Sequence, residues 1–123
     1  MGYESRLYVV HKSSLEPNEK GYTWAEMIAS FDLCRVCNNL MTDIVDKGKK
    51  TDVYFYDGNK EIYEDKYGEP LTEFSIKEMI EMIENAMQYT DYRRYYPCLA
   101  MLRSFYDNQK QWGEGLIVLH YGY

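Results

Sequence analysis

The sequence predicts a single α+β domain over residues 1–123: a mostly antiparallel sheet of about four to five strands, with the C-terminal strand in its interior and two to three helices on one face. Three stretches carry that reading. Leu116-Ile117-Val118-Leu119 is an apolar run bounded by glycines, too short for a helix, which reads as a strand covered on both faces. Thr51-Asp52-Val53-Tyr54-Phe55-Tyr56 and Lys60–Tyr63 flank Asp57-Gly58-Asn59, a hairpin pattern. Ser75 and Glu78 have capping-box spacing ahead of an apolar stripe at Ile76, Met79, Ile80, Ile83 and Met87, which predicts a helix over 76–89.

The remaining elements follow in order. Residues 3–11 alternate as a first strand, and 12–21 form a loop by composition. Residues 23–34 fit two patterns. Thr23 and Glu26 could cap a helix with Trp24, Met27, Ile28 and Phe31 on one face. As a strand, Ala25, Met27, Ala29, Phe31 and Leu33 make one apolar face, and the balance tips toward the strand. Residues 36–47 are expected to be helical, with Val36, Leu40, Met41 and Ile44 inward and Gly48 as C-cap. Residues 64–71 read as an irregular loop. A second helix then follows with Asp91 or a near neighbour as cap, Pro97 in its first turn and a stripe of Leu99, Leu102 and Phe105. Residues 107–115 are expected to be loop.

Composition narrows the function. A net charge of −6 and a pI near 4.9 disfavour direct binding to a phosphate backbone. No run of apolar residues is long enough for a membrane span, and the N-terminus lacks an apolar signal region. Three cysteines fit a reducing compartment better than a disulfide framework, so a cytoplasmic location is expected.

No catalytic fingerprint is present, and no cofactor or metal is expected. Cys34-Arg35-Val36-Cys37 is a C-x-x-C that could join Cys98 and His11 or His120 around zinc, or act in redox chemistry. Free cysteines acting as small buried hydrophobes account for it more simply. His11 and His120 could serve as acid and base on a phosphodiester if strand pairing brought them together.

Charge is more informative. Residues 61–84 hold eight carboxylates against Lys66 and Lys77, which equals the net charge of the whole chain. Such a field steers association with a basic surface. Tyr89, Tyr92, Arg93, Arg94, Tyr95 and Tyr96 follow, and Tyr with Arg is the composition of interface hot spots. The candidate partner-binding residues are therefore Glu64, Asp65, Tyr67, Glu78, Glu81, Glu84, Tyr92, Arg93 and Arg94. The oligomeric state is left open by these residues.

The opening Met1-Gly2-Tyr3-Glu4-Ser5-Arg6, the stretch Glu64-Asp65-Lys66-Tyr67-Gly68-Glu69-Pro70-Leu71, Tyr92-Arg93-Arg94 and the ending Val118-Leu119-His120-Tyr121-Gly122-Tyr123 resemble small proteins encoded by bacteriophages and prophages. The resemblance implies an inhibitor of host machinery, such as an anti-CRISPR or other anti-defence protein, inside a bacterial host. The expected function is thus non-enzymatic binding to a host protein with a basic surface. The alternatives are a small phosphodiesterase or nucleotide-handling enzyme using His11 and His120, and a self-associating phage accessory protein.

Overall fold

The computed structural model describes residues 3–113 and 115–123; Met1, Gly2 and Glu114 lie outside the described residues. Strands β1 (Ser5–Lys12), β2 (Thr23–Cys34), β3 (Lys49–Lys50), β4 (Val53–Asp57), β5 (Lys60–Ile62), β6 (Thr72–Phe74) and β7 (Leu116–Gly122) form one sheet in the order β3-β6-β7-β1-β2-β4-β5. Helices α1 (Asn38–Lys47), α2 (Ile76–Ala86), α3 (Tyr95–Asp107) and the short α4 (Gln109–Trp112) complete the chain. The α+β class is as expected, with two corrections. The described sheet has seven strands rather than four or five, and it is mixed, because β2 and β4 run parallel through Thr23–Val53 and Trp24–Tyr54.

The sheet curls. β3 and β4 lie toward opposite ends of the strand order, yet only Thr51 and Asp52 separate them in sequence. Two residues of extended chain reach about 7 Å, so the two ends must approach one another. The Thr51 amide donates to the Leu71 carbonyl (3.2 Å) and the Thr23 amide to the Asp52 carbonyl (2.8 Å), fastening the crossing on both sides.

The curl creates two cores. Inside it, Tyr8, Val10, Ala25, Val53, Phe55, Ile62, Leu71, Leu119 and Tyr121 pack together without a helical residue. On the outer face Leu7, Val9, Leu33, Phe74, Leu116 and Val118 pack under the stripes of α1, α2 and α3. β1 and β7 alternate between the two, which is why both read as nearly continuous apolar runs.

β2 serves both cores through an irregularity. Val9 pairs with Ala29 and Val10 with Met27, so Ile28 is the extra residue of a bulge. The bulge reverses the facing of the strand. Ala25 and Met27 belong to the inner core while Ala29, Phe31 and Leu33 lie under the helices. The uninterrupted apolar face predicted for this strand is therefore split between two layers.

Local signals explain the helices. At α2 the Glu78 amide donates to Ser75 Oγ (3.0 Å) and the Ser75 amide to Glu78 Oε1 (2.9 Å), completing the capping box. Asp91 does not cap α3, which begins at Tyr95 after Arg94; Pro97 does fall in its first turn. Instead Asp91 Oδ1 accepts from the Tyr96 hydroxyl (3.2 Å). Residues 107–115, expected as loop, contain α4.

Gly48 follows α1, but its backbone is extended (φ −68°) rather than left-handed. The reason for glycine is space. A Cβ there would stand 2.6 Å from the Ile44 carbonyl oxygen, 2.9 Å from Thr72 Cβ and 3.0 Å from Phe74 Cζ. Gly48→Ala is expected to lower stability by about 1–3 kcal/mol in urea titrations, as overpacking does. Deleting Leu116–Tyr123 removes a strand paired on both sides, with Ser5–His11 and Thr72–Phe74. Loss of any cooperative melt, followed by circular dichroism, is the expected result; a retained sharp transition would contradict the interior placement.

Candidate functional site

A cleft of about 570 Å³ opens between α1, the 64–71 loop and the end of β7. Its floor is apolar: Met41, Ile44 and Val45 of α1 face Pro70. Val45 is 69% exposed, an apolar side chain one position off the buried stripe of its helix. Lys50, Asp65, Glu69 and Thr72 supply the polar positions.

The loop owes its shape to Asp65. Its carboxylate accepts from the Tyr67 amide (2.8 Å) and the Glu69 amide (3.0 Å), and its own amide donates to the Glu69 carbonyl (2.9 Å). Gly68 takes the left-handed conformation the turn needs (φ 78°), and Glu64 bridges to Pro70. The Lys66 amide donates to the Gly122 carbonyl (3.0 Å), so the loop is pinned to β7.

That pinning builds an aromatic wall. The Tyr3 ring stacks on Tyr67 (centroids 5.7 Å apart, planes 22° apart) and on His120 (6.1 Å, 26°). Tyr67 remains 55% exposed at the rim. Burial, with Asp65 and neighbouring groups adding to it, pushes the Tyr3 hydroxyl above its ordinary range, so it stays protonated.

His120 and Ser5 share a hydrogen bond of 2.8 Å, with Asp65 close enough to influence the imidazole. These residue types suggest a hydrolytic triad, but the geometry does not supply one. Ser5 has 0% exposure, so no substrate reaches its hydroxyl. Desolvation pulls the His120 pKa down to about 4, partly opposed by Asp65. A base that weak is poorly matched to neutral pH. Ser5 instead orients the imidazole as part of the cleft wall.

The predicted site residues fall in three places. Glu64, Asp65 and Tyr67 lie on the cleft loop, and Asp65 and Tyr67 line it directly. Glu78, Glu81 and Glu84 lie along α2. There Glu78 is engaged in its cap, Glu84 pairs with Arg103 of α3 (2.7 Å), and Glu81 lines a shallow groove toward Tyr106. Tyr92, Arg93 and Arg94 precede α3. The Tyr92 hydroxyl donates to the Leu33 carbonyl (2.6 Å) and Arg94 to the Asp32 carbonyl (2.9 Å), while Arg93 is exposed. Arg94 therefore fastens to the end of β2. Sequence reasoning missed Tyr3, Val45, Lys50 and Thr72 as cleft residues. An off-stripe valine on a short helix was the one local signal among them.

His11 and His120 do not meet. Antiparallel register pairs His11 with Leu116 and Leu7 with His120, so the two lie four positions apart along β1, about 13 Å at the rise of a strand. His11 Nε2 lies 2.7 Å from the Trp112 carbonyl oxygen instead, which fits the ring nitrogen as donor. Cys98 is buried, its thiol pushed up to about 12 by desolvation. Cys37 Sγ accepts from the Tyr95 hydroxyl (3.4 Å), and the three cysteines are free thiols. Among the described residues no group of three ligating side chains is arranged to hold a metal. No helix among them is long and apolar enough to cross a membrane.

The depressed His120 pKa carries a pH signature. The folded protein resists protonation that the unfolded chain accepts from about pH 6.5 downward. This contribution to stability is complete above pH 6.5 and is lost as the pH falls toward about 4, with a slope of at most about 1.4 kcal/mol per pH unit. In urea titrations at pH 7.0 and 5.5, His120→Gln should flatten the decline seen in the wild type. An unaltered decline in the variant would contradict the burial of a neutral imidazole.

No protein-family model, curated protein sequence or solved structure matches the chain, so no activity or partner is carried to it from a relative.

Proposed function

We propose that this chain is a non-enzymatic interaction protein that docks through the cleft, and the 64–71 loop bordering it, onto a protein with a basic surface. The observation that carries the reading is the cleft itself. It has an apolar floor, while the bordering loop presents Glu64, Tyr67 and Glu69 to solvent. An apolar centre with a charged rim is the anatomy of a protein–protein interface. The acidic excess of residues 61–84 adds electrostatic steering toward a cationic partner.

A host protein that binds nucleic acid offers such a partner, because its groove is basic. The resemblance to small phage proteins favours a defence nuclease among these, with the chain acting as an inhibitor. Catalysis by the two histidines draws no support from the fold, which holds them apart at different ends of β1.

Capping and pairing decide which charges can be reversed cleanly. Changing Glu78 disturbs the α2 cap, worth about 1 kcal/mol, and changing Glu84 breaks its pair with Arg103. Glu64, Glu69 and Glu81 are exposed, and surface substitutions of this kind shift stability by about 0.5 kcal/mol or less each. In pull-downs from a bacterial lysate, the wild type should capture one basic nucleic-acid-binding protein. Capture should fail in about 1 M salt, where the Debye length falls to about 3 Å, and in the Glu64→Lys/Glu69→Lys/Glu81→Lys variant at unchanged Tm. Equal capture by the triple variant would overturn the acidic docking surface.

A further inference from the structure

The C-x-x-C at the junction of β2 and α1 is a motif that the docking function leaves unused. Cys34 is the last residue of β2, and Cys37 is the N-cap of α1. Both are half-buried free thiols, unlike Cys98, which is enclosed in the outer core.

The backbone turns the two residues toward one another. Cys34 has φ 58°, the one positive value at a non-glycine residue among the described residues. Side chains rarely adopt this left-handed conformation, and residues held in it gather at functional sites. Three steps of extended chain reach about 10 Å, beyond the roughly 4.4–6.8 Å between Cα atoms that a disulfide spans. The left-handed residue and the bend at Arg35 turn the chain within those steps.

The surroundings agree. Two hollows open here, both walled by Arg35 and Tyr92; Cys34 lines one with Glu4, and Cys37 lines the other with Tyr95. A small reagent therefore has an approach to the pair. Behind it the rings of Tyr92 and Tyr95 pack edge to face, with centroids 5.0 Å apart. The Tyr95 hydroxyl donates to Cys37 Sγ (3.4 Å), and the Tyr92 hydroxyl is held by the carbonyl of Leu33, next to Cys34 (2.6 Å). Cys98 takes no part: burial pushes its thiol up to about 12, and the attacking species is the thiolate. A metal would need further ligands, and among the described residues no group of three is arranged to supply them.

We propose that Cys34 and Cys37 form a redox-modification site that closes to an intrachain disulfide on meeting a small-molecule disulfide such as glutathione disulfide. One cysteine, as thiolate, attacks a glutathione sulfur, breaking that S–S bond, releasing one glutathione and leaving a mixed disulfide on the protein. The other cysteine, also as thiolate, attacks the protein sulfur and releases the second glutathione. Two electrons and two protons pass from the protein thiols to the two glutathiones. The new bond ties the end of β2 to the start of α1, the helix that floors the cleft. The site stands whether or not a partner docks there.

The test treats the native protein with glutathione disulfide, alkylates the remaining thiols in denaturant and maps tryptic peptides by mass spectrometry. Trypsin cuts after Arg35, between the two cysteines. The proposed bond therefore joins peptide 21–35 to 36–47, whereas a bond to Cys98 would join either to 95–103. The 21–35/36–47 pair should dominate over glutathione adducts, because a cysteine three residues away competes at an effective concentration on the order of millimolar or more. Dithiothreitol should restore both thiols. Cys34→Ser and Cys37→Ser should each stop at a glutathione adduct on the remaining cysteine of the pair. A wild type that keeps both thiols free, stops at adducts, links Cys98 instead, or joins the two peptides only in urea would overturn the site.

Discussion

The passage from Lys50 to Val53 is the constraint on which the rest of the molecule depends. Two residues join the first strand of the sheet order to the next-to-last one, and a flat seven-stranded sheet would hold these two strands more than about 20 Å apart at about 4.8 Å per strand. The sheet must curl, and curling encloses the inner core around Tyr8, Phe55 and Leu119. It also returns the 64–71 loop to the end of β7, where Lys66 bonds to Gly122. The cleft is thus a product of the topology. It lies where the returning loop meets α1, the helix that leads into the crossing.

One end of the inner core is closed by polar groups instead of apolar ones. Arg6 lies over the Tyr123 ring (4.7 Å), pairs with Asp32 (3.3 Å) and donates to the Tyr8 hydroxyl (3.3 Å), which in turn donates to Asp57 (3.0 Å). The Tyr123 hydroxyl also donates to Asp32. These contacts join β1, β2, β4 and the residue after β7 at one end of the curl, so its closure does not depend on apolar packing alone. They also account for several tyrosines of an aromatic-rich chain. Tyr8, Tyr121 and Tyr123 place rings in or against the inner core, and Tyr8 and Tyr123 turn hydroxyls toward the carboxylates at its end.

What was legible in the sequence was local. The apolar run at 116–119, the turn at Gly58 and the Ser75–Glu78 box each involve residues within a few positions, and each formed as expected. The misses share a different cause. β3 and β6 are two and three residues long and exist because each pairs with the other and, for β6, with β7. Nothing in Lys49-Lys50 alone specifies a strand. The bulge at Ile28 depends on a register set by β1, so the apolar face of β2 looked continuous when it serves two layers. Gly48 carried a correct punctuation signal for the wrong reason, since its constraint comes from Thr72 and Phe74. The cleft was half visible: Asp65 and Tyr67 were singled out for charge and aromaticity, whereas Tyr3 and His120 join them only through strand pairing between the two ends of the chain.

The curl can be tested without a ligand or partner. Proton–proton Overhauser contacts across the backbone would report β3 against β6 (Lys49 with Glu73) and β2 against β4 (Thr23 with Val53) in the same sample. Both sets together are expected, because they place Lys49 and Val53, four positions apart in sequence, toward opposite ends of one strand order. Detecting one set without the other would mean an open sheet, and it would remove the physical basis for both the inner core and the cleft.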